Sequence, residues 1–285
     1  MSAGSDPDAQ RAESAERWGR SAAGWGRRAD SVREFGMPVS EWMIEHAELR
    51  PGQRLLELAA GPGDTGFQAA ELIAPSGTLV CSDATEQMLE IAKLRAREQG
   101  IENVEFLQLQ LEWIDLETAS VDTILCRWGI MLVVDPAAAV QEARRVLRPG
   151  GKLAVAVWDE SRFNPWATIP GRALVELGLA ERPDPDAPGM FALAAPGQLA
   201  ELLESAGFVE VLVETVEIGR PEVSLDAYLA ETLDLSGVFA DVMASLSEQD
   251  RGAVTDKIAS LAEPYTQSDG SVRLPGRSLV AAASA

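Results

Sequence analysis

Glycines and carboxylates in the first half of the chain are spaced as they are in a nucleoside-binding site. Residues 55–66 begin as an apolar run and end in the loop Gly61-x-Gly63-x-x-Gly66. The next apolar run ends at Asp83. In a strand–loop–helix–strand unit, such glycines let the backbone approach a ligand, and the acid accepts hydrogen bonds from ribose hydroxyls. The pattern therefore predicts a nucleoside-cofactor site and leaves the cofactor open.

A second acid, Glu57, precedes the glycine loop and distinguishes two classes of cofactor. A dinucleotide places its pyrophosphate near this position, where a carboxylate would repel it, whereas a cationic ammonium group would be attracted. The literal Gly-x-Gly-x-x-Gly match keeps a nicotinamide-dependent oxidoreductase as the alternative. A short-chain reductase needs Tyr-x-x-x-Lys, but Tyr228 is followed by Thr232 and Tyr265 by Asp269. A cationic cofactor is therefore favoured.

Further motifs carry a family resemblance. An acid-x-Gly-x-Gly-x-Gly pattern is present as Glu57-Leu58-Ala59-Ala60-Gly61-Pro62-Gly63, with alanine in place of the first glycine. Met88-Leu89 follows Asp83, and Arg148-Pro149-Gly150-Gly151 precedes another apolar run. From Trp18 to Trp158 the chain resembles the class I S-adenosylmethionine-dependent methyltransferases, in the small-molecule branch that includes the quinone-biosynthesis C-methyltransferases. Alanine is tolerable at residue 59 if the backbone keeps a negative φ there.

The resemblance implies S-adenosyl-L-methionine as the cofactor and S-adenosyl-L-homocysteine as the product. Gln110 stands where the family usually has an acid, and its carbonyl accepts the same hydrogen bond from the adenine amino group. Glycines that serve only chain geometry, and an Asp83 that only caps a helix, remain the alternative. The implied cofactor contacts lie at strand ends and in the loops after them: Glu57, Ala59, Ala60, Gly61, Gly63, Asp83, Ala84, Met88, Gln110, Leu111 and Arg127.

The sequence contains no strong catalytic constellation, which is consistent with a methylsulfonium that is already an activated electrophile. Asp159 and Glu160 follow the predicted fifth strand and are candidates for a base, with ordinary surface carboxylates as the alternative. His46 is expected to be a packed or solvent-facing side chain. The acceptor is expected to be a small, aromatic or hydrophobic molecule, methylated at carbon or oxygen. Four residues are candidates for the walls of its pocket: Trp25, Trp128, Trp158 and Trp166.

Composition limits the partners of this 285-residue chain. Its net charge of −21 would repel a phosphate backbone, so nucleic acid is excluded as an expected partner. The chain has no run of eighteen apolar residues and a polar N-terminus, so we expect no membrane span, no signal peptide and a cytoplasmic location. Cys81 and Cys126 lie in apolar runs, and with a single histidine they offer no zinc-ligand set, so no metal is expected. The oligomeric state is left open, as is a non-catalytic protein that binds the cofactor.

Apolar runs alternate with helical patterns, which predicts an α/β fold with a mostly parallel, Rossmann-like sheet and helices on both faces. The resemblance implies seven strands, an antiparallel last strand inserted beside strand six, and a helical cap insertion between strands six and seven. Residues 1–15 are expected to be disordered and 16–285 to form the methyltransferase domain. Within it, 16–48 form an N-terminal helical cap and 225–264 the insertion. The strands are expected at 54–58, 78–82, 104–109, 122–127, 152–158, 208–218 and 272–280.

Overall fold

A seven-stranded sheet forms the centre of the computed structural model, which describes residues 6–182, 188–219 and 223–285. The strand order is β3-β2-β1-β4-β5-β7-β6. Strands β1 to β5 pair in parallel, and β7 lies antiparallel between β5 and β6, which confirms the predicted fold class. The strands are β1 Arg54–Glu57, β2 Thr78–Asp83, β3 Val104–Gln108, β4 Val121–Arg127, β5 Leu147–Trp158, β6 Val209–Gly219 and β7 Pro275–Ser284.

Helices surround this sheet, and their ends follow local sequence signals. The Thr85 hydroxyl accepts the Met88 N–H at the start of the fourth helix, and Gly100 ends that helix at φ +69°. Asp135 caps the fifth helix, with Pro136 in its first turn. The α-helices are α1 Pro7–Arg27, α2 Ala29–His46, α3 Asp64–Ile73, α4 Glu86–Gln99, α5 Pro136–Val146, α6 Pro165–Glu176, α7 Gln198–Ser205, α8 Leu225–Leu235, α9 Gly237–Ser245 and α10 Glu248–Ala262.

The main core lies at the central strands. Leu55, Leu56, Ile124 and Leu125 are fully buried, because neighbouring strands and helices cover these parallel strands. A second cluster of buried side chains joins α6, α8, α9 and α10 and includes Tyr228. The helices between β6 and β7 thus share a small second core with α6. Among the described residues, no helix is both long and apolar enough to cross a membrane.

The structure corrects two expectations about where secondary-structure elements begin. Residues 7–15 are helical rather than disordered, because Pro7 begins α1 and the Asp6 carboxylate accepts the Asp8 N–H. Residues 1–5 lie outside the described part of the chain. Strand β5 begins at Leu147 rather than at 152, since Leu147 pairs with Val121 of β4 and the Gly150 N–H donates at 2.9 Å to the carbonyl of Ala285, the residue after β7.

Candidate active site

A cavity of about 1050 Å³, counting the space open to solvent, lies at the carboxyl ends of the central strands. Strand β1 ends at Glu57, β2 at Asp83 and β4 at Arg127, and all three residues line the cavity. The strand order reverses between β1 and β4, which is where open α/β sheets bind their ligands. The place is that of a small-molecule site.

Glu57 is a buried carboxylate on the wall of this cavity, and only 3% of its surface is exposed. Its Oε1 accepts the Gly66 N–H at 2.9 Å, while Oε2 has no hydrogen-bond partner among the described atoms. Burial raises the pKa of Glu57 to about 8, although the Gly66 hydrogen bond and the Arg127 charge act in the opposite direction. A buried carboxylate with an unpartnered oxygen fits a cationic ligand group, which would restore the lost solvation.

Asp83 connects the end of β2 to the glycine loop. One carboxylate oxygen accepts the Gly61 N–H at 3.0 Å, and the other accepts the Thr85 N–H at 3.0 Å and the Thr85 hydroxyl at 3.1 Å. Burial raises the pKa of Asp83, and these hydrogen bonds partly offset that effect. An ionised carboxylate offers about four lone-pair positions, so acceptor capacity remains for ribose hydroxyls. The carboxylate therefore orders the loop and lines the cavity at the same time.

The loop after β1 has an unusual backbone at Ala59, where φ is +50°. The expectation of a negative φ is wrong, and a left-handed alanine costs about 1–2 kcal/mol. Hydrogen bonds on both sides hold it: the Leu58 N–H donates to the Leu125 carbonyl and the Ala60 N–H to the Ser82 carbonyl, both at 2.8 Å. The neighbouring strands thus impose this conformation on the chain.

Arg127 links the cavity to a buried ion cluster. Its guanidinium donates to Asp64 at 3.2 Å and to the Ser40 hydroxyl at 3.2 Å. Asp64 also accepts from Arg95 at 2.7 Å, and its side chain is fully buried. Charge-assisted hydrogen bonds of this kind fix the position of the guanidinium beside the cavity.

Of the eleven residues that the resemblance assigned to the cofactor, only Gly63 is absent from the cavity wall. Its φ is +87°, and the Phe67 ring occupies the space that a side chain at residue 63 would need. This glycine therefore serves chain geometry. The other ten residues line the cavity: Glu57, Ala59, Ala60, Gly61, Asp83, Ala84, Met88, Gln110, Leu111 and Arg127.

Neither candidate base lies at the cavity, which corrects the expectation for both. Asp159 is buried and pairs with Arg277 at 2.5 Å. Glu160 pairs with Arg162 at 2.6 Å. Both carboxylates belong to the segment after β5, and neither lines the cavity.

The four tryptophans divide into two pairs. Trp25 and Trp128 line the cavity, whereas Trp158 and Trp166 do not, which corrects the expectation for the latter pair. Trp158 stacks on Trp128 with ring centres 4.1 Å apart, and Trp166 meets Trp158 edge-on at 4.9 Å. The second pair thus supports the wall from behind.

Helix α1 covers the cavity and supplies residues that sequence reasoning missed: Arg11, Ser14, Ala15 and Trp18, beside Trp25. Arg11 donates to Glu112 at 2.9 Å, and the Trp25 indole N–H donates to the Leu235 carbonyl at 3.2 Å. The missed residues repeat at intervals of three and four, which is the signal of one helix face. Pro62 lies inside the glycine-loop motif but was not assigned to the site. The remaining members follow β3 and β4, where no motif marked them: Glu112, Gly129, Leu132, Val133 and Val134.

Comparisons with known proteins agree with this geometry. Residues 49–175 match the model of a methyltransferase domain family. The ubiquinone/menaquinone biosynthesis C-methyltransferase UbiE of Shewanella frigidimarina is 36% identical over 113 residues, which cover 39% of this chain and 45% of that protein. UbiE of Shewanella halifaxensis is 30% identical over 194 residues, which cover 64% of this chain and 77% of that protein. The chain spans about half the length of several other UbiE relatives, for example 51% in Shewanella baltica.

Solved structures of low sequence identity share the fold. The YcgJ protein of Bacillus subtilis superposes with a TM-score of 0.56 at 19% identity, covering 86% of this chain and 97% of its own. The [4+2]-cyclase SpnF superposes with a TM-score of 0.53 at 20% identity, covering 86% and 79%. Because fold alone does not fix function, the family rests on the S. halifaxensis relative and on the cavity. The cofactor of the family is S-adenosylmethionine, and the Glu57 and Asp83 carboxylates on the cavity wall fit its cationic amino-acid end and its ribose. With 30% identity to a relative of which it covers 77%, this chain belongs to the class I S-adenosylmethionine-dependent methyltransferases.

Proposed function

We propose that this protein transfers the methyl group of S-adenosylmethionine to a small aromatic or hydrophobic acceptor, at carbon or oxygen. The observation that carries the proposal is a single cavity that holds two buried carboxylates, Glu57 and Asp83, together with the aromatic residues Trp25 and Trp128. The carboxylates suit a cationic nucleoside, and the aromatic residues suit a flat apolar partner.

The cofactor half of the cavity is assigned from the chemistry of its side chains. The bound cofactor supplies a methylsulfonium electrophile. The Glu57 carboxylate holds the ammonium group, Asp83 accepts from the ribose hydroxyls, and the Gln110 carbonyl accepts from the adenine amino group. Met88 and Leu111 offer apolar contacts to the adenine ring.

The acceptor half of the cavity is assigned to the loop after β4 and to Trp25 near the end of α1. Trp25, Leu132, Val133 and Val134 give it an apolar lining. Helix α1 covers the cavity from the side of β3 and α4, where Arg11 pairs with Glu112, and limits the access of water, so that the acceptor is held in line with the reacting bond. The names of the UbiE relatives support a quinol as the first acceptor to try.

Binding and turnover together test the proposal. Calorimetry should show that S-adenosylmethionine and S-adenosylhomocysteine bind one to one, whereas NADH does not. Incubation with a panel of quinols, phenols and polyketides should then produce S-adenosylhomocysteine and an acceptor heavier by one CH₂. NADH binding without S-adenosylmethionine binding would point to the oxidoreductase. An acceptor rearranged with no S-adenosylhomocysteine formed would show that this chain uses the fold for another reaction, as the name of SpnF indicates for that protein.

A further inference from the structure

Two adjacent strands end in left-handed residues that are not glycine. Ala59 follows β1 with φ +50°, and Trp128 follows β4 with φ +59°. The two strands pair directly, and both residues line the same cavity. Strained conformations at non-glycine residues persist only where the surrounding structure holds them, and they concentrate at functional sites.

The two loops contact each other at Ala59 and Gly129. A Cβ atom placed at Gly129 would lie 2.5 Å from the Cβ of Ala59 and 3.0 Å from the sulfur of Cys126. Two carbon atoms do not approach to 2.5 Å in a packed interior. The φ of Gly129 is −98°, which any residue adopts, so its backbone does not require glycine. The methyl group of residue 59 is therefore the nearest obstacle to a side chain at residue 129, and the Cys126 sulfur is the next.

This contact joins the two halves of the cavity. Ala59, Ala60 and Gly61 line the cofactor half, and Leu132, Val133 and Val134 line the acceptor half. A short 3₁₀ turn, Ile130–Leu132, connects Gly129 to the apolar residues of the acceptor half. The side chains of Ile130 and Met131 within this turn are buried. A displacement of Gly129 would therefore also displace Leu132, Val133 and Val134.

We propose that Ala59 is a positioning residue whose methyl group, pressed against Gly129, sets the place of the acceptor wall (residues 128–134) relative to the cofactor loop. The term acceptor here rests on the proposed function. A glycine at residue 59 would relieve the left-handed strain and leave a gap against Gly129. The alanine retains the strain and fixes the distance between the two loops.

A double-mutant cycle tests the contact without turnover. The variants are Ala59→Gly, Gly129→Ala and the double variant, and thermal unfolding and S-adenosylhomocysteine affinity are measured for each. Gly171→Ala is the matched control, because a Cβ there meets no atom within 4 Å. Gly129→Ala should fail to fold or bind about 30-fold more weakly, a large core effect, while Ala59→Gly stays within about threefold. The double variant should recover folding and come within about fivefold of the wild type, because the clashing methyl has been removed.

Two outcomes of this cycle would overturn the proposal. One is a double variant as impaired as Gly129→Ala, including the case in which neither folds. The other is a Gly129→Ala variant that behaves like Gly171→Ala.

A kinetic readout then separates positioning from a purely structural role. With an acceptor that the wild type methylates, Ala59→Gly should raise the KM of the acceptor about tenfold and change the KM of the cofactor no more than about threefold, since the acceptor wall moves farther than the cofactor loop. An unchanged acceptor KM would overturn the proposal. If the wild type methylates no acceptor, the proposed function fails, and the rescue of folding and binding still decides whether Ala59 and Gly129 act as a pair.

Discussion

The carboxylate of Glu57 lies directly against the backbone of Gly66. Its Oε1 accepts the Gly66 N–H at 2.9 Å, and its Oε2 occupies the space that a Cβ at residue 66 would need. The third glycine of the Gly-x-Gly-x-x-Gly match therefore makes room for a buried acid at the start of α3. The Gly-x-Gly-x-x-Gly pattern, which also matches oxidoreductases, thus accommodates here a buried carboxylate that suits a cationic cofactor.

Gly66→Ala should destabilise the protein by about 1–3 kcal/mol, the usual range for overpacking a core, and should weaken S-adenosylmethionine binding more than tenfold because the Glu57 carboxylate must move. Chemical denaturation and calorimetry measure the two effects. Gly252→Ala is the control, since a Cβ there meets no atom within 4 Å. A Gly66→Ala variant as stable as this control would contradict the packing argument.

The stability of the cofactor-free protein should depend on the protonation of Glu57. Burial raises its pKa from 4.5 to about 8, so the folded protein holds a proton that the unfolded chain loses near its ordinary pKa. The resulting stabilisation is complete below the unfolded pKa and is lost as the pH rises through about 8. The slope is at most about 1.4 kcal/mol per pH unit, the value for one proton.

Glu57→Gln should remove this slope, which unfolding experiments between about pH 5 and pH 8 can measure. Burial also raises the pKa of Asp83, which adds a slope of the same sign in both proteins, so the difference between them isolates Glu57. Equal slopes in the wild type and the variant would show that Glu57 is ionised in the folded protein throughout this range.

Asp83→Ala should weaken cofactor binding by about 1.5–3 kcal/mol, because charge-assisted hydrogen bonds to the ribose are lost. The variant also releases the Gly61 N–H, which Asp83 holds at 3.0 Å. Calorimetry gives the affinity, and Glu86→Ala, at an exposed acid three residues later, is the control. Unchanged affinity would remove Asp83 from the site.

Asp234→Asn should speed the release of bound S-adenosylhomocysteine about threefold to tenfold. Asp234 pairs with Arg27 at 2.5 Å and Arg28 at 2.6 Å, and these partly exposed pairs tie the end of α1 to α8. Stopped-flow dissociation should also show that salt accelerates release from the wild type more than from the variant. Glu16→Gln is the control, because Arg20, its partner, lies on the same helix. Equal rates for both variants would show that this ion pair does not hold α1 in place.

His46→Ala should leave turnover within about twofold of the wild type, as for a surface substitution away from the site. The His46 ring stacks on Trp42 with ring centres 3.9 Å apart, and its Nδ1 lies 2.8 Å from the Trp42 carbonyl oxygen, away from the cavity wall. Steady-state kinetics with a methylated acceptor provides the check. A collapse in kcat at normal cofactor affinity would identify His46 as a base after all.

Local signals were enough to predict the strands, while the family resemblance supplied the antiparallel last strand and most of the cofactor contacts. Apolar runs bounded by glycine, proline and capping residues marked the strands, and β2 and β4 differ from their predicted bounds by a single residue at one end. Because the carboxyl ends of parallel strands share one edge, placing Glu57, Asp83 and Arg127 at strand ends was sufficient to bring them together.

The sequence by itself determined which strands exist, in what order acids and glycines follow them, and thus where a cationic nucleoside fits. Only the tertiary structure decided that Ala59 adopts a left-handed backbone, that the early part of α1 brings Arg11 to the cavity wall, and that Trp158 and Trp166 lie behind that wall. The reason is the range of the forces involved. Periodicity and capping act between residues close in the chain, whereas these three features depend on hydrogen bonds and packing between segments far apart in it.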